Sequence, residues 1–162
     1  MDLTRGTVFL LVGLPGSGKT TYARALEEQG VVRLSVDEEV FARHGRYAVD
    51  YPGTHYRALE RPVVEEVNRR LVDAVRSGGC VVLDYGLWLR EERDAYKKRV
   101  QDAGGRWRLI YLKVDRGKLL RRLHERNRGH DANCLHVSSE ALDDFIARFQ
   151  EPVDEGQEVI YS

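Results

Sequence analysis

Apolar side chains recur along this chain in two rhythms, and the two alternate. Thr7 to Val12 is an unbroken β-branched and apolar run closed by Gly13, the mark of a strand buried on both faces. Thr20 to Glu28 predicts a helix, with Gly30 as its stop. Val31 to Leu34 predicts a short second strand. Ser35 and Asp37 then stand where helix caps stand, before a helix over Glu38 to Arg43. Gly45 to His55, rich in Gly, Pro and Tyr, reads as a loop. Pro62 suits the first position of the next helix, where its missing N–H costs nothing. Val63, Val67, Leu71 and Ala74 share one face of that helix, and Ser77-Gly78-Gly79 ends it.

The second half repeats the alternation. Cys80 to Asp84 is a third buried strand, and Arg90 to Ala103 a helix stopped by Gly104-Gly105. Trp107 to Val114 follows as a strand in which Trp107 packs on the sheet. Lys118 to Arg126 is a helix with Leu119, Leu120 and Leu123 turned to the core. Asn127 to His136 is polar and reads as a loop. Ser138 to Phe149 is a helix capped by Ser138, and Glu158 to Tyr161 a short closing strand. Strands alternating with helices predict an α/β fold, a parallel sheet of about five strands with helices on both faces. With 162 residues, 42% apolar and 32% charged, the chain suits one domain over residues 1–162. No repeat, low-complexity tract or internal linker interrupts it.

Charge and cysteine content narrow the classes. Basic and acidic residues number 26 each, which argues against a protein built to coat nucleic acid while leaving a local basic groove open. No apolar run approaches the roughly 20 residues that span a bilayer. Met1 to Gly6 lacks the basic and apolar regions of a secretory signal. Cys80 and Cys134 have no metal-type spacing and read as free thiols of a reducing cytoplasm. The expectation is a cytoplasmic protein without a membrane partner. Nothing in the sequence demands a particular oligomeric state.

Chemistry enters at Gly13-Leu14-Pro15-Gly16-Ser17-Gly18-Lys19-Thr20, which fits the phosphate-loop pattern Gly-x-x-x-x-Gly-Lys-Ser/Thr. The glycines let successive N–H groups of Gly13 to Thr21, Pro15 excepted, turn inward on phosphate oxygens. Lys19 supplies a point charge to the outer phosphates. Thr20 is placed to ligate Mg²⁺, and the following helix aims its positive end at the same anion. Asp84 ends the third strand, at the edge where ligands bind in open parallel sheets, and could hold Mg²⁺ directly or through water. The plain alternative is a turn or cap Asp. Asp37 leaves the second strand at the same edge and could take the proton of a hydroxyl acceptor; capping alone is its alternative role. In the basic stretch Arg116 to Arg128, Arg122 and Arg126 share a helix face and could neutralise charge on a transferring group, unless that face is merely solvated.

With these pieces in order, the sequence resembles the small P-loop kinases of the group that includes chloramphenicol phosphotransferase, zeta-type toxins and the kinase domain of polynucleotide 5′-hydroxyl kinase. The resemblance covers nearly the whole chain. It implies a P-loop kinase-like fold with a small Arg-bearing lid at about 127–136, and ATP with Mg²⁺ as cofactors. It implies Lys19 and Thr20 as the loop's lysine and metal-side hydroxyl, Asp37 as the base, and Asp84 as the second acidic element. Arg126 and Arg128 match the lid, with Arg122 as helper. More narrowly, Leu83 to Arg93 and Phe149 to Glu155 look like a subgroup described only as ATPase-like or kinase-like. One departure stands out: polynucleotide kinases of this type place an Arg three residues after the base, and here that position is Val40, with Arg43 one turn on.

Tyr47, Tyr51, His55 and Tyr56 after Asp37, and Tyr85 and Trp88 after Asp84, are aromatic groups with polar tips that suit a pocket for a hydroxyl-bearing ligand. Core packing is the plainer reading of each. Three functions follow. The first is a phosphotransferase acting on a small-molecule hydroxyl of an antibiotic, sugar, nucleoside or other metabolite. The second is a kinase acting on a nucleic-acid 5′ end, disfavoured by Val40. The third is a nucleotide-dependent regulatory protein that transfers nothing. ATP is favoured as donor because no Asn/Thr-Lys-x-Asp guanine-reading motif occurs.

Overall fold

The computed structural model describes residues 3–46, 49–126 and 138–162, with Arg126 described by its backbone alone. Five strands form one fully parallel sheet in the order β2-β3-β1-β4-β5. They are β1 (Thr7–Val12), β2 (Val32–Ser35), β3 (Val81–Asp84), β4 (Arg106–Lys113) and β5 (Gln157–Tyr161). The helices are α1 (Lys19–Glu28), α2 (Val36–His44), α3 (Tyr56–Arg76), α4 (Arg90–Asp102), α5 (Arg116–Arg126) and α6 (Ser139–Arg148). The predicted α/β class and parallel sheet are therefore present, with most boundaries within two residues.

β1 lies at the centre and is buried along its whole length, which is why its sequence shows no alternation. Its period of two still sorts the core. Val8, Leu10 and Val12 pack with Val40 of α2, Val63, Val67 and Leu71 of α3, and Val100 of α4. Phe9 and Leu11 point the other way, against Ala23 and Leu26 of α1. β1, β2 and β3 all end at one edge, where Ser35 of β2 is in register with Asp84 of β3. The loop from β1, the start of α2 and the turn after β3 therefore emerge side by side.

Three sequence expectations change in detail. Ser35, not Asp37, caps α2: its hydroxyl accepts the Glu38 N–H at 3.3 Å, and Asp37 lies within the first turn. α3 begins at Tyr56 rather than at Pro62. Arg57 to Arg61 are mostly good helix formers, and they extend the helix forward through a 3₁₀ turn at Gly53–His55. Pro62 then sits in the second turn and forfeits one backbone bond there. Leu119 and Leu123 do not join the main core. They pack with Leu142 of α6 and with Leu14, beneath the loop that follows β1. Trp107 packs on the sheet as expected, with the Lys97 ammonium 4.5 Å from its ring centre. Among the described residues no helix is long and apolar enough to cross a membrane.

Candidate active site

The loop between β1 and α1 is shaped by two glycines for different reasons. Gly18 holds φ +97°, a left-handed backbone that a side chain would strain, and leads directly into α1. At Gly13 the obstacle is space: a Cβ there would lie 2.4 Å from Ser17 Oγ. Ser17 is 2% exposed, and its hydroxyl has no hydrogen-bond partner among the described residues. A buried, unsatisfied hydroxyl in a glycine-rich loop is costly unless an added acceptor such as an anion completes it. Lys19 folds back over the loop, its Nζ donating to Gly13 O at 2.9 Å and Leu14 O at 3.1 Å. Thr21 is exposed on α1.

Thr20 Oγ1 donates to Asp84 Oδ2 at 3.0 Å, so the two predicted metal-side residues meet. Asp84 is 5% exposed. The same Oδ2 accepts Arg33 Nη2 at 3.0 Å, and Arg33 also forks onto Glu38 at 2.7 and 2.8 Å. The Glu38 hydrogen bonds, and then those of Asp84, raise the guanidinium's pKa against the cost of burial. Arg33 and Glu38 were not foreseen as site residues; a charged residue inside the apolar Val31–Leu34 run was the available sign. Two oxygen ligands beside a phosphate loop suit Mg²⁺, which takes few protein ligands and shares the phosphates.

Asp37 keeps one side open to solvent but is ringed by protein. Tyr56 Oη donates to its Oδ1 at 2.7 Å. Desolvation pushes the Asp37 carboxyl above its ordinary value, opposed by the Tyr56 bond and the Lys19 charge, with Asp84 and Glu38 adding to the rise. Tyr56 also lies against Glu60, whose Oε1 accepts Tyr85 Oη at 2.9 Å. The result is a polar chain Asp37–Tyr56–Glu60–Tyr85. Burial raises Glu60 too, and the negative charges of Asp37 and Glu92 push the same way. Glu60 was missed because it stands on a helix that the sequence reading began two residues later.

The other predicted aromatics separate. Tyr51 is half-buried against the main core, and His55 is exposed in the 3₁₀ turn. Tyr47 lies outside the described residues. Trp88 stands against the phosphate loop: its Nε1 donates to Gly13 O at 3.3 Å, while the Gly13 N–H donates to Gly86 O at 3.3 Å. Arg93, 0% exposed, fixes this turn by donating to Leu87 O at 3.0 Å and Trp88 O at 3.1 Å. The same guanidinium forks onto buried Glu155 at 2.8 and 2.9 Å. The two segments that suggested a subgroup, 83–93 and 149–155, are thus one contact in space.

On α5, Arg122 donates to Gly16 O at 3.0 Å and to Ser162 Oγ at 2.6 Å, bracing the phosphate loop. The Arg126 side chain, Arg128, Cys134 and the proposed lid at 127–136 lie outside the described residues. Val40 is buried in the core, and Arg43 is exposed and paired with Glu39 at 3.8 Å.

A family model described as "AAA domain" matches residues 8–152. A shikimate kinase of Thermobifida fusca (strain YX) is 38% identical over 111 residues, covering 65% of this chain and 57% of that protein. This chain thus spans a little over half the length of that relative. Among solved structures, a gluconokinase from Sinorhizobium meliloti 1021 superimposes with a TM-score of 0.59 at 18% identity, over 99% of this chain and 83% of that one. The APS kinase CysC of Mycobacterium tuberculosis, in complex with AMPPNP and APS, gives a TM-score of 0.56 at 22% identity, over 98% and 89%. At these identities the structures establish a shared fold.

Proposed function

From the premise that the chain belongs to this AAA-domain family of P-loop proteins, we propose that it is an ATP-dependent phosphotransferase acting on a hydroxyl of a small molecule. The observation that carries the reading is the placement of Asp37. Its carboxylate stands at the sheet edge where the phosphate loop opens, close enough to Lys19 for that charge to act on it. In the proposed reaction the loop N–H groups and the Ser17 hydroxyl bind the phosphates, and Lys19 leaves its carbonyls for the outer phosphate oxygens. Thr20 and Asp84 would hold Mg²⁺, which when bound neutralises charge on the phosphate oxygens. Asp37 accepts the acceptor's hydroxyl proton as that oxygen bonds to the γ-phosphorus. The bond from phosphorus to the bridging oxygen breaks in line, and ADP leaves. A carboxyl with a raised pKa is the stronger base. Arg126, helped by Arg122 and Arg128, supplies positive charge as negative charge spreads over the transferring group.

The acceptor side favours a small, hydroxyl-rich and uncharged or cationic molecule. Tyr56 and Tyr85 donate to carboxylates, so that side offers hydrogen-bond acceptors rather than donors. The buried Val40 counts against a nucleic-acid acceptor, since no arginine stands there to grip a phosphate. The test is a screen with γ-labelled ATP, Mg²⁺ and a panel of polyols, sugars, amino sugars, nucleosides, carboxylated sugars and 5′-hydroxyl DNA and RNA. Label on a neutral or cationic hydroxyl compound is expected. ATP binding with no label on any compound, or label only on 5′-hydroxyl DNA or RNA, would contradict the reading.

A further inference from the structure

Trp88 was expected in the acceptor pocket, yet its indole N–H lies on the phosphate loop. The Gly13 carbonyl accepts two donors, Lys19 Nζ at 2.9 Å and Trp88 Nε1 at 3.3 Å. Gly13 is buried, so this oxygen has no solvent to turn to. If the loop binds ATP, Lys19 must give up this carbonyl to reach a phosphate. A buried carbonyl that loses its only donor makes that departure costly. Trp88 has no such duty elsewhere. Its turn is locked from behind by the buried Arg93–Glu155 pair, by Arg93 on Leu87 O and Trp88 O, and by the Gln150 N–H on Trp88 O at 2.9 Å. The ring also lies 5.2 Å from that of Phe145, and at Gly86 a Cβ would come within 2.8 Å of Nε1.

We propose that Trp88 is a positioning residue for nucleotide binding: its indole N–H keeps the Gly13 carbonyl satisfied when Lys19 swings away to the phosphates. Trp88 touches neither nucleotide nor acceptor in this role and acts through Gly13 and Lys19. The proposal rests on the phosphotransferase reading only as far as ATP binding at the loop.

The coupling to Lys19 supplies the test. ATP affinity is measured by equilibrium dialysis for the natural chain and for Trp88→Phe, Trp88→His, Lys19→Ala and the double variant Lys19→Ala/Trp88→Phe. Phenylalanine keeps the ring and loses the donor; histidine keeps an N–H about as far from Cβ. Trp88→Phe is expected to weaken ATP binding about tenfold. Trp88→His should recover most of that loss. In the Lys19→Ala background the Trp88→Phe change should cost little, because no ammonium has to leave. A tenfold loss that persists without Lys19 would make Trp88 a plain packing residue, and no loss in Trp88→Phe would overturn the proposal outright. Should Trp88→Phe fail to fold, Trp88→Leu, which also lacks the donor, takes its place: a tenfold loss that disappears in the Lys19→Ala background supports the proposal, and unchanged affinity overturns it. Absence of ATP binding by the natural chain would overturn the functional reading and this inference together.

Discussion

The proposed nucleotide side and the proposed acceptor side of this site are built from different materials. On that reading the nucleotide side is mostly main chain: the glycine-rich loop between β1 and α1, the Gly13 and Leu14 carbonyls that hold Lys19, and the turn at Gly86 and Trp88 that clamps Gly13. The side proposed for the acceptor is all side chain, with Asp37 from α2, Tyr56 and Glu60 from α3, and Tyr85 from the turn after β3. A main-chain site fixes its residue types by conformation and space, so it tolerates little change. A side-chain site can be rewritten one residue at a time, and this is where relatives sharing one fold can differ in acceptor.

That contrast can be broken from the scaffold first. Arg93 and Glu155 are fully paired and buried, so Glu155→Ala leaves an uncompensated guanidinium. It should cost about 3–5 kcal/mol of stability. The Arg93 hydrogen bonds hold the Glu155 carboxyl below its ordinary value of 4.5. A lowered carboxyl adds stability that is complete above the unfolded value and lost as pH falls through the folded one. Thermal melting between neutral and acid pH should therefore show a drop below about pH 4.5 that Glu155→Gln flattens. A stable Glu155→Ala protein with unchanged acid sensitivity would leave the turn at Trp88 without its anchor.

The next effect falls on the nucleotide side. Lys19→Ala removes a charge-assisted contact and should weaken ATP binding or slow transfer by about 1.5–3 kcal/mol. Titration calorimetry and turnover read it together, and normal values in both would dismiss the phosphate loop.

Smaller again is Tyr56→Phe, which probes the acceptor side alone. The Tyr56 bond favours the ionised Asp37, so its loss raises that carboxyl's pKa further. Transfer needs the ionised form, so the acid limb of the rate profile should move to higher pH, with a plateau loss of about tenfold or less. ATP affinity should stay as it was; a pH profile that does not move would detach Tyr56 from the base.

The smallest is Ser35→Ala, which removes the cap of α2 and should cost about 1 kcal/mol in chemical unfolding. An equal loss from Asp37→Ala, with none from Ser35→Ala, would return the capping role to Asp37.

How much could be read in advance follows the same division. The phosphate loop was legible because glycines at Gly13 and Gly18 answer to steric and dihedral limits that leave a fixed spacing. β1 was legible because a strand buried on both faces must be apolar throughout. The position of Asp84 at the end of β3 was legible, while Asp37 falls two residues beyond β2, in the first turn of α2. Glu60, Arg33 and the Arg93–Glu155 pair were not, because each gains its meaning from a partner distant in sequence, and charge on a helix usually signals solvent. Pro62 misled for a related reason: a proline at the first position is cheap, but one lost backbone bond inside a long helix is affordable too.

As the proposed base, Asp37 should separate transfer from nucleotide binding. The direct measurement is the rate of phosphoryl transfer from ATP to an identified acceptor by the natural protein and by Asp37→Asn, with ATP affinity measured on both. Asn keeps the shape and loses the proton acceptor. Transfer should fall about 10²–10⁴-fold, roughly 3–5 kcal/mol of barrier, with ATP affinity unchanged. Transfer by Asp37→Asn at close to the natural rate would contradict it.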